Sequence, residues 1–102
     1  MIHVIATIEL NSGKREAFLA EFHRLMPLVR AENGCIEYGP AVDMPTGLPM
    51  QDASRPDTVV VIEKWADLPA LHAHLQAPHM LDYRVRVKDF VRGVRLQILE
   101  PA

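Results

Sequence analysis

The first ten residues of the chain alternate between two faces, and this pattern constrains the fold more than any other feature. One face carries Ile2, Val4, Ala6, Ile8 and Leu10. A period of two is typical of a β-strand with one side in a core. The turn-forming residues 11–13 follow, and the apolar spacing then becomes that of a helix. The chain is therefore predicted to begin with a strand and a helix.

An amphipathic helix is predicted from Lys14 to Asn33-Gly34. Its apolar stripe consists of Phe18, Leu19, Phe22, Leu25, Met26 and Val29. Pro27 lies inside this pattern, so we expect it to kink the helix or to split off a short second piece. A glycine commonly follows the last helical residue, and Gly34 is therefore expected to end the helix.

Two strands and a long loop are predicted next. Residues 35–42 and 58–65 have the composition of strands and are expected to pair as a hairpin. Between them, residues 43–57 contain three prolines and a glycine and few apolar side chains. An exposed loop of this length in a small domain is often a lid or an interface arm.

A divided helix and a last strand complete the pattern. Asp67 is a plausible N-terminal cap of a helix that Pro78 interrupts. The helix is predicted to continue over residues 79–91, until Gly93 breaks the pattern. Residues 94–100 are predicted to form the last strand.

The element order is β-α-β-β-α-β, in one domain that spans residues 1–102. It predicts an α+β fold of the ferredoxin-like kind, with a four-stranded antiparallel sheet and helices on one face. The strand at 58–65 is apolar on both sides, so the face without helices would leave a large apolar patch in water. We therefore predict a two-fold homodimer that packs sheet against sheet.

Composition and charge exclude several classes of partner. The net charge is −2 and the isoelectric point is near 6.2, which argues against a nucleic-acid groove and against a basic membrane-binding patch. The longest purely apolar run, residues 59–62, is too short to span a bilayer, and no signal-peptide pattern precedes the first strand. The single cysteine, Cys35, cannot form an internal disulfide, so a cytoplasmic location is expected.

Ionisable and aromatic side chains gather where the third strand gives way to a helix. Trp65 is either a packing anchor or a pocket wall whose N–H orients a substrate oxygen. His72 and His74 both lie off the centre of the helix stripe, and helical geometry does not choose which of them could transfer a proton. These histidines and His79 lack the i, i+4 spacing of a helical metal site, so no metal is predicted.

Four other residues have interpretations that the sequence leaves open. A buried Glu63 would be costly unless it is paired, and Arg95 on the last strand is a conceivable partner. Glu32 is expected to accept hydrogen bonds from the backbone of its turn. Tyr38 suits either a core or a phenol-binding pocket. Cys35 is expected to be a small buried apolar group.

Three segments resemble the antibiotic biosynthesis monooxygenase family of dimeric α+β barrels. They are Gly13-Lys14 at the first helix, residues 31–38 (AENGCIEY), and Glu63-x-Trp65 followed by residues 70–75 (ALHAHL) and His79. The second is similar to the family's Glu-x-Gly-Cys-x-x-Tyr turn and strand, and the third to its Glu-x-Trp and Ala-Leu-x-x-His-Leu block. The resemblance covers nearly the whole chain apart from the loop at 43–57.

The resemblance implies a range of activities. Members include cofactor-free oxygenases of hydroquinones and polycyclic phenols, haem-degrading enzymes, an isomerase of a signalling sugar and proteins without a known activity. Haem-degrading members use an asparagine near the middle of the first strand, where this chain has Ile5-Ala6-Thr7. This departure disfavours haem degradation and weakens oxygenase roles that rely on that amide.

Our first hypothesis is a small homodimeric oxygenase of hydroquinones or other electron-rich phenols that needs neither metal nor flavin. The resemblance selects His74, because the position of His72 does not match the motif. His74 would be the base, and Tyr38 or Trp65 would donate a hydrogen bond to the phenolate.

The same hypothesis assigns the pocket walls to Phe18, Phe22 and Leu71 together with Trp65. His79 would close the pocket or stabilise the helix break. The second hypothesis is a protein of the same fold without oxygenase activity, either an isomerase of a small polar metabolite or a binding protein. A mostly aromatic and aliphatic pocket lining would favour the first hypothesis, and several converging polar groups would favour an isomerase.

Overall fold

A four-stranded antiparallel sheet organises the chain, whose computed structural model describes residues 1–102. The elements are β1 Ile2–Leu10, α1 Arg15–Arg30, β2 Cys35–Ala41, β3 Thr58–Trp65, α2 Leu68–Leu75, α3 Pro78–Val87 and β4 Val91–Leu99. The strand order is β2-β3-β1-β4. The predicted ferredoxin-like α+β arrangement with a divided second helix is confirmed.

None of the helices combines the length and the apolar composition needed to cross a membrane.

One face of the sheet forms the core together with the helices. The two central strands bury alternate residues, as the period of two predicts: Val4, Ala6, Ile8 and Leu10 from β1, and Val59, Val61, Glu63 and Trp65 from β3. Helix α1 buries Phe18, Phe22, Leu25 and Val29 against this face. The polar Glu63 therefore lies within an otherwise apolar layer.

Helix α1 runs unbroken through Pro27, so no second helical piece forms. Pro27 lies on the exposed side near the end of the helix. Its missing N–H frees the carbonyl of His23, which is also exposed and can bond to water instead. A proline in the last turn on the wet side is therefore tolerated.

The boundary between α3 and β4 differs from the prediction. Helix α3 ends at Val87 and β4 begins at Val91, whereas the pattern predicted a helix to residue 91 and a strand from 94. Gly93 lies inside the strand, opposite Glu9, beside an irregularity in the pairing of β1 with β4. The long-range pairing with β1 outweighs the local helical spacing, and a glycine in a strand often accompanies such an irregularity.

The apolar residues of β4 point to the helix side of the sheet but are not covered there. Val94, Leu96 and Ile98 lie opposite Ile8, Ala6 and Val4 of β1, and each of the three is about half exposed. The opposite face, which carries no helices, presents the exposed Ile62 and Leu99 and the partly buried Ile5 and Val60, among polar side chains. The single chain thus leaves apolar surface on both sides of the sheet.

The loop at 43–57 contains no helix or strand and is almost entirely exposed, as predicted. An ion pair closes its base: the Asp43 carboxylate accepts hydrogen bonds from Nε and Nη2 of Arg55, each at 2.8 Å. The Asp57 carboxylate also accepts a hydrogen bond from the backbone N–H of Gly13, at 3.0 Å. These contacts fix the two ends of the loop beside the start of α1.

The turn after α1 packs closely against α2, and Gly34 makes this approach possible. Its φ is +85°, a conformation that favours glycine. A Cβ at this position would lie 2.6 Å from the Cβ of Ala70 on α2. The same turn carries Glu32, so this contact also determines where the Glu32 side chain meets α2.

We predict that Gly34→Ala destabilises the fold much more than Gly13→Ala. Both glycines have positive φ, which costs about 1–2 kcal/mol for an L residue, but only Gly34 would also clash with a neighbouring side chain. Urea denaturation of the two variants measures the difference. Equal losses in the free energy of unfolding would contradict this account of the turn.

Candidate functional site

A cavity of about 480 Å³ lies between the helix side of the sheet and helices α2 and α3. Of its 16 lining residues, 12 are hydrophobic, and they come from all four strands and all three helices. The remaining four are Glu63, His74, Arg84 and Lys88. The cavity is therefore an apolar space in which a few polar groups converge.

Glu63 is buried in the cavity wall and is paired with Trp65. Its Oε1 accepts a hydrogen bond from the indole Nε1 of Trp65 at 2.9 Å. Burial raises the pKa of Glu63 to about 7, although the indole N–H opposes this shift. At neutral pH the carboxyl group is thus partly protonated and can both donate and accept hydrogen bonds.

The suggested pairing of Glu63 with Arg95 is wrong. Arg95 lies on the other face of the sheet, opposite Thr7, and its guanidinium bonds to Glu9 at 3.0 Å. Residues opposite one another in an antiparallel pair point to the same face, so the partner of Arg95 follows from the register. The partner of Glu63 lies two residues along its own strand.

His74 is buried, and its ring is bonded to Glu32. The distance from Nδ1 of His74 to Oε2 of Glu32 is 3.0 Å, and Nε2 of His79 lies 2.7 Å from the same oxygen. The side chain of Glu32 thus binds two histidines, whereas the sequence suggested that it serves its own turn. As a carboxylate, Glu32 can only accept hydrogen bonds, which places the proton of neutral His74 on Nδ1.

The remaining nitrogen of His74, Nε2, is then an acceptor on the cavity side. Oε2 of Glu21 is the only fully buried side-chain polar atom without a hydrogen-bond partner. Nε2 of His74 also has no hydrogen-bond partner, so it is not fully buried, and His74 lines the cavity. Burial lowers the pKa of His74, while the hydrogen bond and charge of Glu32 act in the opposite direction. The net shift is downward, which favours the neutral imidazole with a lone pair on Nε2.

Aromatic rings surround His74. The centroid of its ring lies 4.6 Å from that of Trp65 and 5.4 Å from that of Tyr38. Tyr38 also stacks on Phe22, at 5.3 Å and 12°. Burial raises the pKa values of Tyr38 and Tyr83, so both hydroxyls stay protonated at neutral pH and can donate hydrogen bonds.

The structure places three of the predicted site residues at the cavity: His74, Tyr38 and Phe22. The other three predicted wall residues, Phe18, Leu71 and Trp65, are fully buried in the core behind the lining. Helical and strand spacing identify inward-facing residues, but do not show whether they meet another side chain or an open space. The indole N–H of Trp65 is engaged by Glu63, so it does not face the cavity as a free donor.

His79 does not line the cavity. It borders a separate small hollow of about 40 Å³, between α1 and α3. His72, in contrast, is exposed on α2. No group of three or more His, Cys, Asp or Glu side chains has an arrangement suited to a metal ion.

Several lining residues were not among the sequence candidates. Helix α3 and its C-terminal cap contribute five of them: Met80, Tyr83, Arg84, Val87 and Lys88. They recur at spacings of three and four, so they share one face of the helix. This spacing could have indicated a common environment, but the sequence does not reveal that the environment is a cavity.

We predict that Glu63→Gln raises the free energy of unfolding relative to the parent chain, and that this gain is larger at higher pH. The native pKa of Glu63 is above its unfolded value of 4.5, so its stabilising contribution is complete below 4.5 and is lost as the pH rises through about 7. A shift of this size corresponds to up to about 3 kcal/mol. Glutamine keeps an acceptor for the Trp65 N–H but does not ionise.

Urea denaturation at pH 5 and pH 8 tests this prediction. The gain in unfolding free energy of the variant over the parent chain should be larger at pH 8. Glu100→Gln, in the exposed segment after β4, is the matched control and should show no such trend. A gain that is independent of pH would contradict the assigned environment of Glu63.

Comparisons with known proteins agree with this geometry. The antibiotic biosynthesis monooxygenase family matches residues 1–86. The chain is 41% identical over 103 residues to the Escherichia coli K12 protein named "Probable quinol monooxygenase YgiN", and the match covers 99% of this chain and 98% of that protein.

Two solved structures show the same fold. PA3566 from Pseudomonas aeruginosa has a TM-score of 0.81 at 27% identity, over 99% of this chain and 93% of that one. Rv0793 from Mycobacterium tuberculosis has a TM-score of 0.80 at 26% identity, over 99% and 94% of the two chains. With its sequence and its fold both matching, this chain belongs to the antibiotic biosynthesis monooxygenase family.

Proposed function

We propose that this protein is a cofactor-independent monooxygenase of hydroquinones or related electron-rich phenols. The observation that carries the proposal is the buried His74, bonded to Glu32, at the edge of an apolar cavity. Family membership and the name of the Escherichia coli relative support the same class of reaction. The predominantly hydrophobic lining favours an aromatic substrate over the small polar metabolite of an isomerase.

The chemistry needs a base and a dry pocket. A quinol that has lost its hydroxyl proton can itself give an electron to dioxygen. In the balanced reaction one quinol and one dioxygen give one hydroxyquinone and one water. One oxygen atom forms the new C–O bond, the other leaves as water, and the quinol supplies all four electrons. The protein therefore has to bind, deprotonate and hold the substrate.

The lining residues have distinct roles in this scheme. Nε2 of His74 takes the proton of the quinol hydroxyl. The hydroxyls of Tyr38 and Tyr83 donate hydrogen bonds to the phenolate that results. Arg84 and Lys88 contribute positive charge beside the same anion. Apolar walls exclude water, which strengthens each of these electrostatic interactions.

We also propose that two copies of the chain form a homodimer. The apolar residues of β4 and the helix-free face of the sheet are exposed in the single chain, on both sides of the sheet. Leu96 and Val94 line the cavity as well, so covering them would also close the cavity to water. A partner subunit would thus complete the dry environment that the reaction requires.

His74→Ala is expected to reduce quinol-dependent oxygen uptake by about 100-fold or more, because a positioned general base contributes roughly 10²–10⁴ in rate. The assay uses a panel of quinols without added metal or flavin, after circular dichroism has shown that the variant is folded. His72→Ala on the exposed side of the same helix is the control. Unchanged uptake by His74→Ala would refute its role as the base.

Light scattering at micromolar concentration is expected to give twice the chain mass of 11.5 kDa. Ile62→Glu, which places a charge on the helix-free face, should shift the mass to that of the monomer. Val85→Glu is the control, since Val85 is an exposed apolar residue of α3, away from the sheet. A monomeric mass for the unmodified chain would rule out the dimer.

A further inference from the structure

Two histidines share one carboxylate oxygen beside the cavity, and each of the three side chains comes from a different segment. Glu32 lies in the turn after α1, His74 in α2 and His79 in α3. The two histidine nitrogens lie 3.0 Å and 2.7 Å from Oε2 of Glu32. The side chain of His74 is 2% exposed and that of His79 is 24% exposed, so the cluster leads from the cavity wall toward the surface.

We propose that Glu32 and His79 are positioning residues that act through His74. Glu32 holds the imidazole with the lone pair of Nε2 toward the cavity and stabilises the ring after it has accepted a proton. His79 bonds to the same oxygen and thereby limits this stabilisation. The inference rests on the proposed function, because it assigns these two residues to the base of that reaction.

The role of Glu32 follows from the fact that its carboxylate can only accept hydrogen bonds. A carboxylate accepts and does not donate, so the ring nitrogen that faces it must carry the hydrogen. This arrangement fixes both the tautomer and the orientation of His74. Since His74 is otherwise enclosed by aromatic rings, a positive charge on it has no other close anionic partner in hydrogen-bond contact.

The role of His79 follows from competition for the same oxygen. A hydrogen bond from His79 draws on the negative charge that would otherwise act on His74 alone. The two neighbours therefore have opposite effects on the basicity of His74. Glu32 makes the ring a stronger base, and His79 makes it a weaker one.

Other charged or titratable groups also face His74 and are retained in the experiment. Glu63 approaches from β3, Tyr38 from β2 and Arg84 from α3, and Tyr83 and Lys88 line the same cavity. Burial lowers the pKa of His74 most, and Arg84 and His79 lower it further, whereas Glu32 raises it. The variants are designed to show whether Glu32 and His79 shift the pKa of His74 in opposite directions.

During turnover the cluster would hold one proton for a limited time. The quinol O–H bond breaks and an N–H bond forms at Nε2 of His74, so that the imidazolium and the Glu32 carboxylate form an ion pair. When the O–O bond later breaks, the same proton passes to the oxygen that leaves as water. The quinol also gives up its second hydroxyl hydrogen and one ring hydrogen; one of these completes the water and the other becomes the hydroxyl hydrogen of the hydroxyquinone. The cluster is thereby restored, and no other proton donor is consumed.

The test is an NMR titration of the histidine ring nitrogens in the full-length protein without substrate. Glu32→Gln should lower the pKa of His74, and His79→Asn should raise it. His72→Asn on the exposed side of α2 is the matched control and should leave it unchanged. Shifts of the same sign in the first two variants, or no shift beyond that of the control, would overturn the proposal.

Steady-state kinetics with a quinol provide the second measurement. Because turnover needs neutral His74, the acidic limb of the kcat–pH profile should move to lower pH in Glu32→Gln and to higher pH in His79→Asn. We expect Glu32→Gln to lower kcat at pH 7 by about tenfold or more, since a correctly positioned base contributes roughly 10²–10⁴. KM should change less than about twofold, because Glu32 does not line the cavity.

Two further variants keep the test decisive if either substitution prevents folding. Glu32→Asp shortens the side chain and should shift the pKa of His74 in the same direction as Glu32→Gln. His79→Gln should act in the same direction as His79→Asn. If the unmodified protein oxidises no quinol, the proposed function fails, while the NMR shifts still decide whether the cluster sets the basicity of His74.

Discussion

The burial of two ionisable side chains, His74 and Glu63, is the constraint on which the rest of the site depends. A buried polar group that is left without a hydrogen-bond partner destabilises the fold by about 1–3 kcal/mol. Each group therefore has a fixed partner: Trp65 for Glu63, and Glu32 for His74. These pairings leave the second oxygen of Glu63 and Nε2 of His74 available to the cavity, in addition to the polar groups of Tyr38, Tyr83, Arg84 and Lys88.

The architecture explains how these partners come together. Gly34 allows the turn after α1 to approach α2 closely, which brings Glu32 to His74. Pro78 divides the second helix, and the first turn of α3 then delivers His79 to the same oxygen. The backbone amide of Ala66 donates to the carbonyl of Gly34 at 2.8 Å and fixes this turn against the end of β3. The site is thus assembled by turns as much as by the sheet.

Most of the fold could be predicted because its signals are local. The alternation in β1, the helical stripe of α1 and the cap at Asp67 all depend on residues close in sequence, and all three are confirmed. The start of β4 could not be predicted, since residues 91–93 join the strand through pairing with β1 rather than through their own pattern. Long-range pairing outweighs local propensity at such positions.

The site was predictable only in part, for a similar reason. The resemblance selected His74, and the structure places this residue, buried, at the cavity wall. Nothing in the local sequence indicated that Glu32, 42 residues away, would bind this histidine. Phe18 and Leu71 had the spacing of inward-facing residues, but the structure packs them into the core, because periodicity does not distinguish a filled interior from a cavity.

The most direct test of the account is the tautomer of His74 at pH 7, measured from the ¹⁵N chemical shifts of its ring. We expect a neutral ring that carries its proton on Nδ1, because the Glu32 carboxylate accepts a hydrogen bond there and leaves the lone pair of Nε2 for a substrate. A neutral ring protonated on Nε2, or an imidazolium at this pH, would contradict the assignment of His74 as the base.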